Sequence, residues 1–268
     1  MTKKKTGWDT AVVVNDWHVP FHDPKALDLA FMVIKDIKPE YVFLDGDLVD
    51  FYDVSRFCKD PMNSPGLQFE LDTIYNLLKK LREVAPMAHI YYIDGNHEFR
   101  LANYLRSNAR ELVGLTRACD PDSPALSLPT LLRFGELKIT HVSSGGKESQ
   151  YWFGKQMLIG HFDRVYKHSG YTAKNLLEDK HMSLIQGHTH RLGSSYKTVR
   201  VGKGKHRVIA AYENGCLCNL DPEYVTDPNW QQGFSIVHKK RNGDRFYVQQ
   251  VPIVDYVAFY GGKEYRAT

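Results

Sequence analysis

The sequence predicts an α/β protein in which two β-sheets pack face to face with helices outside them. Three observations lead there. From residue 11 short β-rich runs alternate with amphipathic segments in β-α-β-α-β order, which implies a largely parallel sheet. After about residue 135 the pattern turns strand-rich, with one helix near 171–179. The chain has 268 residues, 43% of them hydrophobic and 25% charged, enough for one large core. No internal repeat and no Gly-, Pro- or Ser-rich linker divides it, so residues 1–268 are expected to form a single domain.

The elements follow in order. "AVVVN" reads as a buried strand, and "DPKALDLAFMVIKDI" as a helix with Asp23 capping and Pro24 in the first turn. "YVFLD" is a second strand, residues 68–84 a second helix, "HIYYID" a third strand and "EFRLANYLRSNARELV" a further helix opened by Glu98. Then come "ELKITHV", "KQMLIG", "MSLIQG", "SSYKTVR", "RVIAAY", "FSIVH" and "RFYVQQV". The strands over 195–260 are expected to complete the second sheet. Residues 52–66 and 114–130 are irregular and long enough to be functional loops.

Composition excludes several classes. No apolar run approaches the ~18 residues of a membrane helix, and the lysines before Asp9 precede no secretory h-region, so a cytoplasmic protein without a membrane partner is expected. Cys58, Cys119, Cys216 and Cys218 have neither the density of a disulfide scaffold nor, in "CLC", a second pair at zinc-site spacing; reduced thiols are expected. A net charge of +4 permits a polyanionic substrate without requiring one.

The chemistry lies where strands stop. "VVVNDWH" runs into Asp16 and His18, "YVFLDGDLVD" into Asp47 and Asp50, "HIYYIDGNHE" into Asn96 and His97, "KQMLIGH" into His161, and "MSLIQGHTH" into His188 and His190. Strands of a parallel sheet share their carboxyl edge, and ligands bind beyond it, so these residues should converge. Carboxylate, imidazole and amide oxygen without thiolate suit divalent Mn, Fe, Zn or Ni. Asp16 and His18, like His188 and His190, are two apart on extended chain and can face one way. Seven ligands with one bridging carboxylate fill two cation sites.

Asp16-x-His18, Gly46-Asp47-x-x-Asp50, Gly95-Asn96-His97-Glu98, Gly160-His161 and Gly187-His188-Thr189-His190, in this order over residues 11–192, resemble the calcineurin-like metallophosphoesterase superfamily. The resemblance implies a four-layer αββα sandwich of two mixed sheets. It implies two divalent metals bridged by Asp47, with manganese the first choice. Asp16, His18 and His190 would complete one site, and Asn96, His161 and His188 the other. A hydroxide between the metals would attack a phosphate ester, His97 would face the leaving group as proton donor or charge stabiliser, and Asp50 would orient its imidazole. His141 also follows an apolar run, and His168 and His181 lie nearby, but His161 carries the Gly-His ending. Gly46, Gly95 and Gly187 are expected to permit tight turns, and Asp45 and Asp94 to make local turn hydrogen bonds.

Protein phosphatases of this superfamily carry an arginine after the carboxylate matching Asp50, where this chain has Phe51; Arg56 and Arg100 are the replacement cations, the alternative being that Arg100 is an exposed first-turn residue. Arg100, Arg106 and Arg110 on one helix, and Arg164, Lys167, His168 and Lys174 among Tyr166 and Tyr171, suit either a solvated face or a DNA or RNA backbone. "YENGCLCNLDPEYVTDPNWQQGF", within 212–234, resembles a tail of small bacterial and phage-encoded members; its Tyr224 and Trp230 would close the second sheet or line a substrate groove. The expected function is phosphodiester hydrolysis in a nucleotide or nucleic acid. The alternatives are a phosphomonoesterase and, in another class, a non-catalytic binding scaffold, against which the full ligand set and His97 argue.

Overall fold

A computed structural model describes residues 7–57, 60–64, 66–118, 120–145, 148–222 and 226–267. The strands are β1 (Trp8–Val14), β2 (Tyr41–Asp45), β3 (His89–Ile93), β4 (Thr116–Arg117), β5 (Asp120–Pro124), β6 (Ile139–Val142), β7 (Gln150–Trp152), β8 (Met157–Gly160), β9 (Ser183–Gln186), β10 (Leu192–Gly202), β11 (Lys205–Asn214), β12 (Gly233–Lys240), β13 (Phe246–Val254), β14 (Val257–Tyr260) and β15 (Lys263–Arg266). The helices are α1 (Pro24–Ile37), α2 (Leu67–Val84), α3 (Phe99–Asn108), α4 (Leu128–Leu131), α5 (Phe134–Leu137) and α6 (Tyr171–Lys180).

One sheet has the order β15-β14-β13-β12-β1-β2-β3-β6 and the other β10-β11-β9-β8-β7. Both are mixed. β1, β2, β3 and β6 run parallel, as do β8, β9 and β11, while β12 to β15, β10 and β7 pair antiparallel with their neighbours.

Strand alternation sorts the side chains into layers. Val12 and Val14 of β1 join Val33, Ile34, Ile74 and Leu78 of α1 and α2, whereas Ala11 and Val13 join Phe43, Ile159 and Ile185 between the sheets. Leu158 and Leu184 turn the other way, onto Ala173, Leu176 and Leu177 of α6. The result is an αββα sandwich. α1 begins as its sequence dictates, with Asp23 accepting from the N–H groups of Lys25 and Ala26 and Pro24 in the first turn. It ends at Lys38, whose left-handed backbone returns an N–H to Ile34 O.

The sheet assignment of the C-terminal strands needs correction. β10 and β11 join the second sheet as expected, but β12 to β15 extend the first. β12 is buried over Gly233–Val237 and occupies the edge of β1 opposite β2, and hairpins carry β13, β14 and β15 outward from it. An apolar run specifies burial on both faces; it does not say which open edge receives it. The irregular stretches hold the 3-10 turns Tyr52–Val54 and Pro61–Asn63, the β4-β5 hairpin and α4. Among the described residues no helix is long and apolar enough to cross a membrane. Tyr224, Cys58 and Cys119 lie outside the described residues.

Candidate metal centre

The ends of β1, β2, β3, β8 and β9 bring the expected residues to one edge of the sandwich, in two adjoining clusters. Asp16, His18 and His190 place one donor atom each within 4.8 Å of one another, and so do Asp47, His161 and His188. In the first, His18 Nε2 and His190 Nε2 face each other at 3.0 Å, and Asp16 Oδ1 stands 3.0 Å from the latter and 3.5 Å from the former. Asp16 Oδ1 is buried and receives no hydrogen bond. Opposed imidazole nitrogens around an orphaned carboxylate oxygen leave lone pairs that a cation would satisfy.

The second cluster repeats this logic. His161 Nδ1 donates to Asp45 O at 2.8 Å, which fixes the ring and aims Nε2, buried and without a hydrogen-bond partner, to within 3.1 Å of Asp47 Oδ2. The same Asp47 oxygen is 3.9 Å from His18 Nε2, so it lies between the clusters. Asn96 contributes a buried Oδ1 that receives no hydrogen bond, one residue before His97, whose N–H binds Asp47 Oδ1 at 2.9 Å.

Supporting groups hold these donors. Asn15 Nδ2 and the His188 N–H take Asp16 Oδ2 at 2.5 and 2.8 Å, leaving Oδ1 for the centre. Asp50 Oδ2 lies 3.3 Å from His18 Nδ1 and, without hydrogen-bond alignment, 3.2 Å from His97 Nδ1. Glu98, expected only to open a helix, has its side chain turned inward. It accepts from the N–H groups of Asp47, Leu48 and Gly95 at 3.0, 2.9 and 2.7 Å and from the Tyr92 hydroxyl at 2.8 Å. Burial, with Asp47 and Asp94 close by, pushes its carboxyl up toward about 7. The four donors decide its form, because a proton on Glu98 would point at an N–H.

The backbone of the centre is equally unusual. Asp16, His18, Asp47, His188 and His190 have φ of 49°, 49°, 51°, 71° and 56°, in the left-handed region that side chains other than glycine rarely enter. The flanking glycines serve proximity more than turning. A Cβ on Gly187 would come within 2.8 Å of His161 Nδ1 and 2.9 Å of Asp16 Oδ2, and one on Gly46, itself at φ 79°, within 2.5 Å of the His161 ring.

Charge balance shows what a cation would replace. Burial pushes the Asp16 and Asp47 carboxyls up, but the histidines around them outweigh it and hold both well below the carboxylate range. Burial pulls the His18 imidazolium down, while Asp16, Asp50 and Asp47 carry it to about 10, and His161 is raised in the same way. Partial burial and the neighbouring His161 pull His188 down to about 4. The protons on His18 and His161 neutralise carboxylates that divalent ions would otherwise neutralise, so metal and proton compete here.

Other expected residues fall as follows. Arg100 is not an exposed helix residue: its side chain is 14% exposed, and its Nη1 donates to Asp50 O and Oδ1 at 2.8 and 2.9 Å. Its Nη2 lies 2.7 Å from His97 Nε2. Arg56 is exposed and shares a groove with Arg100, Arg106 and Asn96. Phe51 is fully buried. His141 stands apart from the clusters, paired with Asp94 at 2.7 Å, a cross-strand bond rather than the local turn bond expected of Asp94. Asp45 makes no turn bond either; both its oxygens lack partners, and burial pushes its carboxyl up to about 8. Cys216 and Cys218 are free and buried, the latter with Sγ 4.0 Å from His190 Nδ1. Trp230 packs edge-on against His190, ring centres 4.2 Å apart, rather than closing a sheet. Arg164 pairs with Asp179, and the Lys174 ammonium lies over Tyr171, both on the protein surface.

The family model described as calcineurin-like phosphoesterase matches residues 10–192. The "Gene 54 protein" of Mycobacterium phage D29 is 30% identical over 251 residues, covering 91% of this chain and 93% of its own. Its namesake from Mycobacterium phage L5 is 29% identical over the same length. Among solved structures, vacuolar protein sorting 29 from Cryptosporidium parvum aligns with a TM-score of 0.44 at 14% identity, over 96% of this chain and 95% of that one. YfcE, a phosphoesterase from E. coli, aligns with a TM-score of 0.35 at 12% identity, over 91% and 100%.

Proposed function

The chain belongs to the calcineurin-like phosphoesterase family, and from that premise we propose that it hydrolyses a phosphodiester in a nucleotide or nucleic acid with two divalent cations. The observation that carries the reading is the pair of adjoining donor clusters with Asp47 between them, and His97, Asp50 and Arg100 along one flank. Asp16, His18 and His190 would hold one cation, Asn96, His161 and His188 the other, and Asp47 both. Such ions, when bound, polarise phosphoryl oxygens and lower the pKa of water.

The protein's own groups supply orientation and proton control. A guanidinium can only donate, so His97 Nε2 accepts from Arg100, and the ring carries its proton on Nδ1, toward Asp50. His97 can assist a leaving group through Nε2 only once Arg100 has left it and that nitrogen has taken up a proton from water. A phosphate oxygen is the partner for which a guanidinium would leave an imidazole. Arg100 thereby couples substrate arrival to the freeing of His97.

Two features favour a diester. The arginine that protein phosphatases place after Asp50 is replaced by Phe51, which is buried in the core. Arg56, Arg100 and Arg106 instead line an open groove leading from Asn96, suited to a phosphate that continues into a longer chain. The phosphomonoesterase reading rests on Arg100 alone, whose charge beside His97 also suits a terminal phosphate. The test is turnover by metal-reconstituted protein of bis(p-nitrophenyl) phosphate, p-nitrophenyl phosphate, single-stranded and duplex DNA, and cyclic nucleotides. Faster hydrolysis of diesters is expected; preference for the monoester would overturn the diester assignment, and two bound metals with no turnover of anything would make the protein a scaffold.

A further inference from the structure

A cavity of about 420 Å3, within the ~300–1,000 Å3 range of small-molecule sites, opens directly off the centre and shares His18 and Asp50 with it. Its walls come from segments far apart in sequence. Phe21 follows β1, Tyr52 follows β2, and Asn219, Asp221 and Trp230 belong to the segment between β11 and β12. No lysine or arginine is among the described residues lining it, and Asp50 and Asp221 are, so a second phosphate is disfavoured. The arginines lie in the other groove, the one reached from Asn96.

What the cavity offers is flat apolar faces with hydrogen-bonding groups at the rim. Phe21 and Tyr52 stand with ring centres 5.5 Å apart, and 38% of the Phe21 surface is exposed. Asn219 and Asp221 give the rim both an amide and a carboxylate. This combination is how proteins hold an unstacked nucleobase: aromatic faces stack on it, and amides and carboxylates meet its edge.

Backbone and side-chain hydrogen bonds join the walls to one another. The Asn219 N–H donates to Phe21 O at 2.9 Å, and His22 and Cys218 form an antiparallel bridge. Asn219 Oδ1 takes the Asp221 N–H at 3.1 Å, and Gln232 Nε2 donates to Cys218 O at 3.0 Å. On the other wall the Tyr52 hydroxyl donates to Asp60 O at 3.1 Å. The segment carrying Cys218 and Asn219, whose Trp230 the sequence offered as lining a substrate groove, is thus fastened across the loop after β1 as one side of the cavity.

We infer that this cavity binds the nucleobase of the nucleotide whose phosphate lies at the metal centre. The inference rests on the phosphodiesterase reading above, and its test separates the two. Isothermal titration on the metal-loaded protein would compare adenosine 5′-monophosphate with ribose 5-phosphate, which has the phosphate and sugar but no base. Saturation-transfer NMR would compare adenosine with ribose, a pair that needs no metal. The monophosphate should bind about 10-fold tighter than ribose 5-phosphate, the scale of one stacked base. Adenosine should contact the protein and ribose should not. Phe21→Ala should erase both preferences while ribose 5-phosphate affinity and metal content hold, and Phe21→Tyr should restore them. Equal binding of the monophosphate and ribose 5-phosphate, or a base preference that survives Phe21→Ala, would overturn the inference. A protein that takes up no metal and binds no phosphate ester when metal is supplied, but still prefers adenosine to ribose, would sink the phosphodiesterase reading and leave the base site standing.

Discussion

Glu98 is the most informative residue to perturb, because its four hydrogen bonds tie the loop carrying Asp47 to the loop carrying Asn96 and His97. In Glu98→Ala, three N–H groups and one hydroxyl lose their acceptor in a site closed to water. At ~1–3 kcal/mol for each buried orphan the loss is at least about 4 kcal/mol, against a total stability of ~5–15 kcal/mol. That variant should barely fold. Glu98→Gln keeps the shape, and its carbonyl oxygen can still serve about two donors while its amide N–H2 meets the others, so we expect a loss of about 2–4 kcal/mol. For a chain of this size that lowers Tm by roughly 5–15 °C in scanning calorimetry. The same change loosens the hold on Asp47, so affinity for Mn or Zn should fall ~10- to 100-fold, as when other groups that orient ligands are removed. A Glu98→Gln protein melting within about 1 °C of wild type and holding two metals as tightly would refute the reasoning.

Other perturbations test single links. His161→Ala should deplete one metal by elemental analysis while His141→Ala keeps both, because His141 is engaged by Asp94 away from the clusters; the reverse outcome would move the ligand to His141. His97→Ala should retain both metals and slow hydrolysis ~100- to 10,000-fold on DNA or a nucleotide, but far less on a nitrophenyl ester, whose leaving group needs no proton. An equal loss on both would leave His97 only a phosphate-positioning role. Glu70 is buried at 0% exposure, and burial with Asp50 and Asp53 nearby pushes its carboxyl up to about 8, although it accepts the Tyr52 N–H. An acid raised in the folded state costs nothing while protonated in both states, and its penalty grows as pH climbs from about 4.5, levelling off above about 8. Wild-type stability relative to Glu70→Gln, read by urea unfolding, should therefore decline between pH 5 and 8; a constant difference would show that Glu70 ionises freely in the fold.

The residues gathered at the centre were legible because each sits at the end of an apolar run, and a shared sheet edge turns that local pattern into proximity. The cap of α1 was legible for a similar reason, since Asp23 and Pro24 act within one turn. What was not legible depends on partners remote in sequence. Glu98 reads as a first-turn acid, and only the fold brings the N–H groups of Asp47 and Leu48, about fifty residues away, to its oxygens. Arg100 reads equally as a phosphate-holding cation or an exposed first-turn residue until Asp50 and His97 are placed beside it, and the glycines read as turn residues until His161 and Asp16 crowd them. The edge chosen by β12 depends on where β1 lies open, which no pattern within β12 records.

The left-handed backbone at Asp16, His18, Asp47, His188 and His190 has an evolutionary consequence. Each such residue costs the fold on the order of 1 kcal/mol that glycine, or to a lesser degree asparagine, would not. Replacing His18, His188 or His190 with glycine relaxes the chain and, on the proposed function, removes a metal ligand, whereas glycine at Asp16 or Asp47 would also orphan the buried N–H groups those carboxylates accept. On the proposed function, those three positions offer the scaffold's descendants a downhill route away from metal chemistry. On that reading, only continued demand for the reaction keeps the three histidines as they are, and in a lineage freed of that demand they should be among the first to drift.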